Sequence, residues 1–287
     1  MKPSTLGRAT RIVTLLLIAA GFAYPVAAFA LVALRRDDGT GPTGLALGNA
    51  RDSWLTVLRF NDGVVLSWLG NSLLVATGGA LVAVVVGLPA GYALARLRFP
   101  GRRLLRFCTL LTMVVPNTVL VIPVYLEVSA IGAVNNIWMV ALLMGFHPFG
   151  VYLTYIHFRT TLPVPVLEAA RIDGLSETDI FRRVALPASK PAVALVGFFS
   201  FVANWTNFFL PLVLLPLSSS TTISVGLPQL VSSSPLFDPT NAAGLDVRLY
   251  APQLAVATFV TVAPVIAVFV IAQRALTRGH MLGATRR

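Results

Sequence analysis

Long apolar runs alternate along this chain with short charged ones. A bilayer core needs about 20 apolar residues of helix. Six runs reach that length, at residues 12–34, 72–95, 104–126, 137–158, 192–217 and 252–272. They predict an all-α, polytopic membrane protein with six transmembrane helices, forming one domain over residues 1–287. Lys2, Arg8 and Arg11 precede the first run and mimic a secretion leader. That run is too long for a leader and no convincing small-residue cleavage site follows it, so it reads as a retained span. Between the runs, the stretch at 37–70 carries mixed charge and no repeat, and the one at 218–251 reads as an irregular loop. The second is rich in Ser, Thr and Pro, and neither is large enough for a core of its own.

Composition agrees with the pattern. The chain is 56% hydrophobic and only 11% charged, where a soluble domain carries about 25% charged residues. Its net charge of +11 does not point to nucleic acid, because the charges are spread over short inter-helix loops. Their distribution instead gives an orientation. One side holds Lys2, Arg8 and Arg11; then Arg96, Arg98, Arg102, Arg103 and Arg106; then Arg159, Arg171, Arg182, Arg183 and Lys190; then Arg274, Arg278, Arg286 and Arg287. The other holds only Arg35, Arg36, Arg51, Arg59 and Arg248. Seventeen basic residues against five place both termini, and the loop at 163–190, in the cytoplasm. An even number of spans is consistent with this.

Enzymatic chemistry finds little footing. The single cysteine, Cys108, permits no intrachain disulfide and no cysteine metal cluster. His147, His157 and His280 stand apart without metal-ligand spacing. No phosphate-binding Gly-x4-Gly-Lys-Ser/Thr pattern occurs, so the chain is expected to bind no cofactor and not to hold ATP by that route.

The loop at 163–190 is charged, short and punctuated. Pro165 suits a first helical position, residues 166–173 give about two helical turns, and Gly174 stands where a helix end wants positive φ. Ser176 can cap a second short helix with Asp179 as an imperfect capping box, and Pro187 is expected to stop it. Two short helices joined at a glycine make a knob suited to docking. Glu168 carries charge early in the first helix, and the small Ala169 and Ala170 allow close approach. Ile180, Phe181 and Val184 form an apolar stripe on the second helix. The bland reading is a solvated loop with Glu168 paired to Arg171, worth only about 0.2–0.5 kcal/mol.

Within the spans, Pro89, Pro116, Pro123, Pro148, Pro211 and Pro264 each free a backbone carbonyl that must find a partner in protein or water. Gly78, Gly79, Gly87 and Gly91 let helices approach closely. The most polar intramembrane patch is Asn204-Trp205-Thr206-Asn207. Asn204 and Asn207, three apart, share roughly one helix face. They line a solute path, with Trp205 able to stack on a sugar ring, or they make an interhelical hydrogen bond worth about 0.6 kcal/mol.

Glu168-Ala169-Ala170, Gly174, Val184 and Leu186-Pro187, with their fixed gaps, resemble the EAA loop of bacterial ABC-importer permeases, which usually have Ile at the Val184 position. The resemblance extends over Gly70 to Leu73, Tyr92 to Arg102, Met113 to Pro116, Ile122 to Tyr125, Phe146 to Phe149, Phe158 to Pro163 and Gln273 to Ala284. It covers residues 68–284 and is to the MalG-like permease subunits of carbohydrate importers. It implies that the loop is a coupling helix seated in an ATPase cleft. The coupling residues would be Glu168, Ala169, Ala170, Asp173, Gly174, Ile180, Phe181, Leu186 and Pro187, with Asn204, Trp205 and Asn207 on the substrate path. At Trp205-Thr206-Asn207-Phe208 the family more often reads Trp-Asn-acid-Phe. The implied partners are a second, different permease, two ATPase subunits that bind ATP and Mg, an extracytoplasmic substrate-binding protein and the bilayer of a bacterial cytoplasmic membrane. An ion-coupled secondary transporter would carry intramembrane acids, and only Glu127 lies near a span end.

Overall fold

The structure is a computed structural model that describes residues 5–36, 43–45, 48–217, 219–237 and 248–281. Lys2, Arg286 and Arg287 of the orientation argument, and the tail positions Gly283 and Ala284, lie outside the described residues. The chain divides into two units, residues 1–65 with 227–261 and residues 66–226 with 262–287.

In the first unit, α1 (Thr5–Ala33) is followed by a short antiparallel pair, β1 (Arg35–Arg36) and β2 (Thr43–Leu45), and by α2 (Gly48–Arg59). Ala33 at the end of α1, with Ala255 and Val256, forms a small core against which Trp54 and Phe259 pack. Helix α2 occupies part of the mixed-charge stretch at 37–70. Trp54, Val57 and Leu58 sit at helical spacing, and Arg51, Asp52 and Arg59 interrupt what would otherwise read as an apolar run. Asn61, Asp62 and Gly63 all take positive φ (45°, 56° and 81°) and separate α2 from α3 (Val64–Arg96). The second span therefore starts earlier than residue 72.

The second unit takes most of α3 and then α4 (Arg102–Val114), α5 (Val121–Ala130), α6 (Ile137–Leu143) and α7 (Pro148–Thr161). Next come α8 (Val164–Ile172), α9 (Glu177–Ile180), a π-helical turn at Phe181–Ala185 and α10 (Leu186–Ala188). They are followed by α11 (Lys190–Trp205), α12 (Phe209–Leu214), α13 (Ile223–Ser232) and α14 (Ala251–Met281), the last two shared with the first unit. Helix α13 replaces part of the irregular loop expected at 218–251. Its Ser and Thr neighbours hid an apolar helix, in which Ile223, Val225 and Leu230 are buried.

Three described helices, at Thr10–Ala33, Gly48–Arg96 and Ala251–Arg274, are long and apolar enough to cross a membrane. The count reaches six when each of three bent pairs is one span. Arg102–Val114 meets Asn117–Ala130 at 96°, Ile137–Leu143 meets Pro148–Thr161 at 42°, and Glu177–Ala188 meets Lys190–Trp205 at 76°. The straight spans expected at 104–126 and 137–158 are thus broken, at Pro116 and just before Pro148, where the ring removes an N–H and blocks the preceding turn. Pro89 and Pro264 lie inside continuous helices. Close contacts hold α3 against α7. The Thr154 hydroxyl donates to the Gly87 carbonyl at 2.8 Å, and a Cβ on Gly91 would come within 2.0 Å of the Thr154 Oγ1. Only glycine permits that approach.

Candidate docking knob and polar cavity

Helices α8 to α10 form the knob, and backbone chemistry fixes its turn. Gly174 has φ +84°. The Leu175 N–H donates to the Ala170 carbonyl at 3.1 Å and the Gly174 N–H to the Arg171 carbonyl at 3.0 Å, the paired bonds of a Schellman motif. Ser176 caps α9, its Oγ accepting from the Asp179 N–H at 3.2 Å. The box is not reciprocal through the backbone. Instead the Ser176 hydroxyl donates to the Asp179 carboxylate at 2.5 Å. That bond, with Arg183 3.7 Å away adding in the same direction, holds the Asp179 carboxyl below its ordinary range. Helix α8 begins at Val164, so Pro165 is its second residue and not its first.

Pro187 does not end the second arm. A π-helical turn, closed by the Leu186 N–H on the Phe181 carbonyl, carries the helix through Pro187 to Ala188. The break falls at Ser189, whose hydroxyl donates to the Leu186 carbonyl at 2.7 Å.

The inner face of the knob belongs to the same core as the membrane helices. Leu167, Ala170, Ile180 and Ala185 are buried with Leu88, Tyr92, Tyr155 and Phe158. Tyr92 lies edge-on to Phe158, with centroids 5.6 Å apart, and 5.2 Å from the Phe181 ring. Three of the residues expected at the coupling surface lie on this inner face. Ile180 is 0% exposed, Ala170 is buried and Phe181 is half-buried, so these residues fasten the knob and do not present it. The apolar stripe was legible in the sequence; the side on which it would be covered was not.

Polar contacts complete the seat. The Arg171 Nε donates to Glu177 Oε1 at 2.7 Å, and the Tyr92 hydroxyl donates to Glu177 Oε2 at 3.4 Å. Arg171 therefore pairs with Glu177 across the turn, not with Glu168. Arg96, the last residue of α3, donates to the Phe158 carbonyl at 2.8 Å and the Arg159 carbonyl at 2.9 Å, and also to that of Leu162. These are among the last carbonyls of α7, which a cation favours. Arg102 does the same for α3, donating to the Leu94 and Ala95 carbonyls at 2.8 Å each.

The outward face consists of Pro165, Glu168, Ala169 and Ile172, an i, i+3, i+4, i+7 stripe that is exposed throughout. Ile172 is 86% exposed. The sequence reading passed over it, although its spacing from Glu168 and Ala169 was the available signal. Glu168 has no ion pair among the described residues. Asp173, Gly174, Leu186 and Pro187 are also exposed.

The polar patch lies at a chain break. Helix α11 ends at Trp205 and α12 begins at Phe209, so the continuous span expected at 192–217 is interrupted. Asn207 lies beyond the helix end and does not share a helical face with Asn204. Its Oδ1 accepts from the Leu210 N–H at 3.2 Å and starts α12, and its carbonyl accepts from the Ser224 hydroxyl at 2.7 Å. Asn204 is buried with its Nδ2 3.5 Å from the Ser200 Oγ. Both asparagines nevertheless line one cavity of about 660 Å³, with Asn117, Thr118, His147 and Thr206 as further polar walls and Phe146, Phe208 and Phe209 as aromatic ones. The Nε2 of His147 is buried without a hydrogen-bond partner. Trp205 is absent from this lining. It is buried and stacked on Phe201 at an interplanar angle of 17°. Phe146 and Phe208 were not singled out in the sequence, because they come together only through the break.

Comparison with known proteins places this geometry. Residues 83–280 match the family described as the binding-protein-dependent transport system inner membrane component. The diacetylchitobiose uptake system permease protein NgcG of Streptomyces coelicolor is 29% identical over 79% of this chain and 72% of its own length. The osmoprotective compounds uptake permease protein GgtD of Synechocystis is 30% identical over 85% of this chain and 76% of its own. The trehalose transport system permease protein SugB of Mycobacterium tuberculosis is 29% identical, with 79% of each chain covered. In fold, the chain resembles a bacterial ABC transporter involved in the import of the acidic polysaccharide alginate. The TM-score is 0.75 at 21% identity, over 96% of this chain and 99% of that one. The chain belongs to the binding-protein-dependent transport system inner membrane component family.

Proposed function

We propose that this chain is one of two unlike permease subunits of an ATP-driven sugar importer, and that it couples to a cytoplasmic ATPase through the outward face of α8. The observation that carries the reading is the two-sidedness of the knob. One face is buried with α3 and α7, and the other presents Glu168, Ala169 and Ile172 with no partner in the described chain. A surface that is firmly seated on one side and bare on the other suits transmission of force between a partner and the membrane helices. The excess of Lys and Arg on the knob's side of the spans supports a cytoplasmic position for it and for both termini.

The cavity supplies the substrate half of the reading. Amides, two hydroxyls and an imidazole offer hydrogen bonds to hydroxyl groups, and the phenyl walls offer surface to the C–H faces of a sugar ring. The similar permeases are named for diacetylchitobiose, trehalose and osmoprotective compounds, which favours a sugar or sugar-like solute. ATP and Mg belong to the partner subunits, and an extracytoplasmic binding protein delivers the solute. The test is affinity purification of the tagged chain from its native membrane. An ATPase subunit and a second permease should co-purify, and proteoliposomes holding the complex and its binding protein should accumulate a sugar on ATP addition. A chain that purifies alone and transports without ATP would contradict the assignment.

A further inference from the structure

A second cavity, of about 720 Å³, lies where α3, α4 and α7 meet, and its charge is of one sign. Arg96, Arg98, Arg102, Arg103, Arg106 and Arg159 line it, and no Asp or Glu does. Two of these guanidinium groups are engaged on carbonyls, those of Arg96 and Arg102. The rest are not neutralised. Arg106 and Arg159 both donate to the Tyr155 hydroxyl, at 3.1 and 2.9 Å, and a neutral phenol leaves both charges unanswered. The Arg106 Nε is buried without a partner. Arg98 and Arg103 are exposed and make no ion pair among the described residues. An anion bound among these groups would relieve the repulsion between them.

An adjoining groove says which kind of anion. A cavity of about 340 Å³ runs on between α4 and α7, sharing Arg103, Arg106, Tyr155 and Arg159 with the first. Its remaining walls include Leu94, Phe107, Leu110, Tyr152 and Ile156. The outer side of α4 continues the apolar surface, with Phe107 61% exposed. Guanidinium groups at one end and hydrocarbon-lined space at the other match a phosphate carried on acyl chains. Free phosphate would leave the groove empty.

We propose that this junction binds an anionic phospholipid of the cytoplasmic leaflet, its phosphate between Arg98, Arg103 and Arg106 and an acyl chain along Phe107 and Leu110. Guanidinium groups recognise phosphate by paired, charge-assisted hydrogen bonds, and basic pockets at the cytoplasmic side of helix bundles take anionic headgroups. The lipid would neutralise the junction from which Arg96 and Arg159 lead into the knob.

The test uses the whole importer complex, purified in detergent after incubation with phosphatidylglycerol and washed before lipid extraction or native mass spectrometry. The unsubstituted complex should retain phosphatidylglycerol over phosphatidylcholine. Arg98→Gln with Arg103→Gln, both at exposed positions with no ion pair among the described residues, should retain about tenfold less or lower while the complex stays assembled. If that pair disturbs assembly, Leu110→Trp, which fills the groove and leaves every arginine, should lower retention by itself. Inorganic phosphate at millimolar concentration should not displace the lipid. Equal retention in parent and variants would overturn the proposal, as would displacement by inorganic phosphate alone. A cross-linker at Arg103→Cys that captures a partner subunit in place of lipid would also overturn it.

Discussion

Arg171 and Glu177 meet at 2.7 Å across the left-handed turn at Gly174, and Glu177 is also the acceptor for the Tyr92 hydroxyl of α3. One carboxylate thus ties both arms of the knob to a membrane helix. Its energetic share is small, because both side chains of the ion pair are over a third exposed and such pairs contribute about 0.2–1 kcal/mol. Burial of Ile180 and Leu167 does more. Ile180→Ala should destabilise the knob by about 2–5 kcal/mol, against less than about 1 kcal/mol for Arg171→Ala. Protease sensitivity of the loop in the purified complex ranks the two. A larger effect from Arg171→Ala would show that the ion pair, and not the core, seats the knob.

Gly174 should resist substitution. An L-residue at φ +84° costs about 1–2 kcal/mol, and relief of that strain would unmake the bonds from Leu175 and Gly174 to the end of α8. Gly174→Val should leave the protein in the membrane and lower ATP-driven uptake several-fold. Uptake equal to the parent would show that the turn is not needed.

The extent to which the sequence foretold this site follows from physics at particular residues. Gly174 and Ser176 were legible because positive φ and helix capping are local demands. The burial of Ile180 was not, since an amphipathic stripe does not say which surface covers it. Nor was the break after Trp205. The nearest proline, Pro211, lies inside α12, and Asn207 starts that helix with a side chain that reads equally well as mid-span polarity. Bends at Pro116 and before Pro148 were marked by their prolines, but the angles of 96° and 42° depend on packing.

Substrate choice should follow the cavity and not Trp205. Gly79 abuts the Asn204 amide, such that a Cβ there would lie 2.4 Å from Nδ2. Asn204→Ala and Gly79→Ala should both lower uptake or reorder preference among sugars, while the complex still hydrolyses ATP. Unpaired polar groups facing a substrate penalise it strongly. Uptake competition with a sugar panel reads this out. An unchanged preference order with reduced complex yield would return Asn204 to a packing role.

Orientation can be read by thiol labelling in a Cys108→Ser background. Ser232→Cys should react with an impermeant reagent from outside intact cells, and Thr285→Cys should react only after lysis. The reverse pattern would overturn the assignment of both termini to the cytoplasm.

The central claim is that the outward face of α8 is where an ATPase subunit sits. In the same cysteine-free background, Ala169→Cys places one thiol on that face, between Glu168 and Ile172. A short photoactivatable cross-linker on it should capture the ATPase subunit in membranes of the assembled importer, and Glu168→Lys added to that variant should sharply reduce the yield. A thiol at Ser219, on the opposite side in the proposed topology, should capture none. Absence of an ATPase adduct from Ala169→Cys in a complex that still transports would contradict the account.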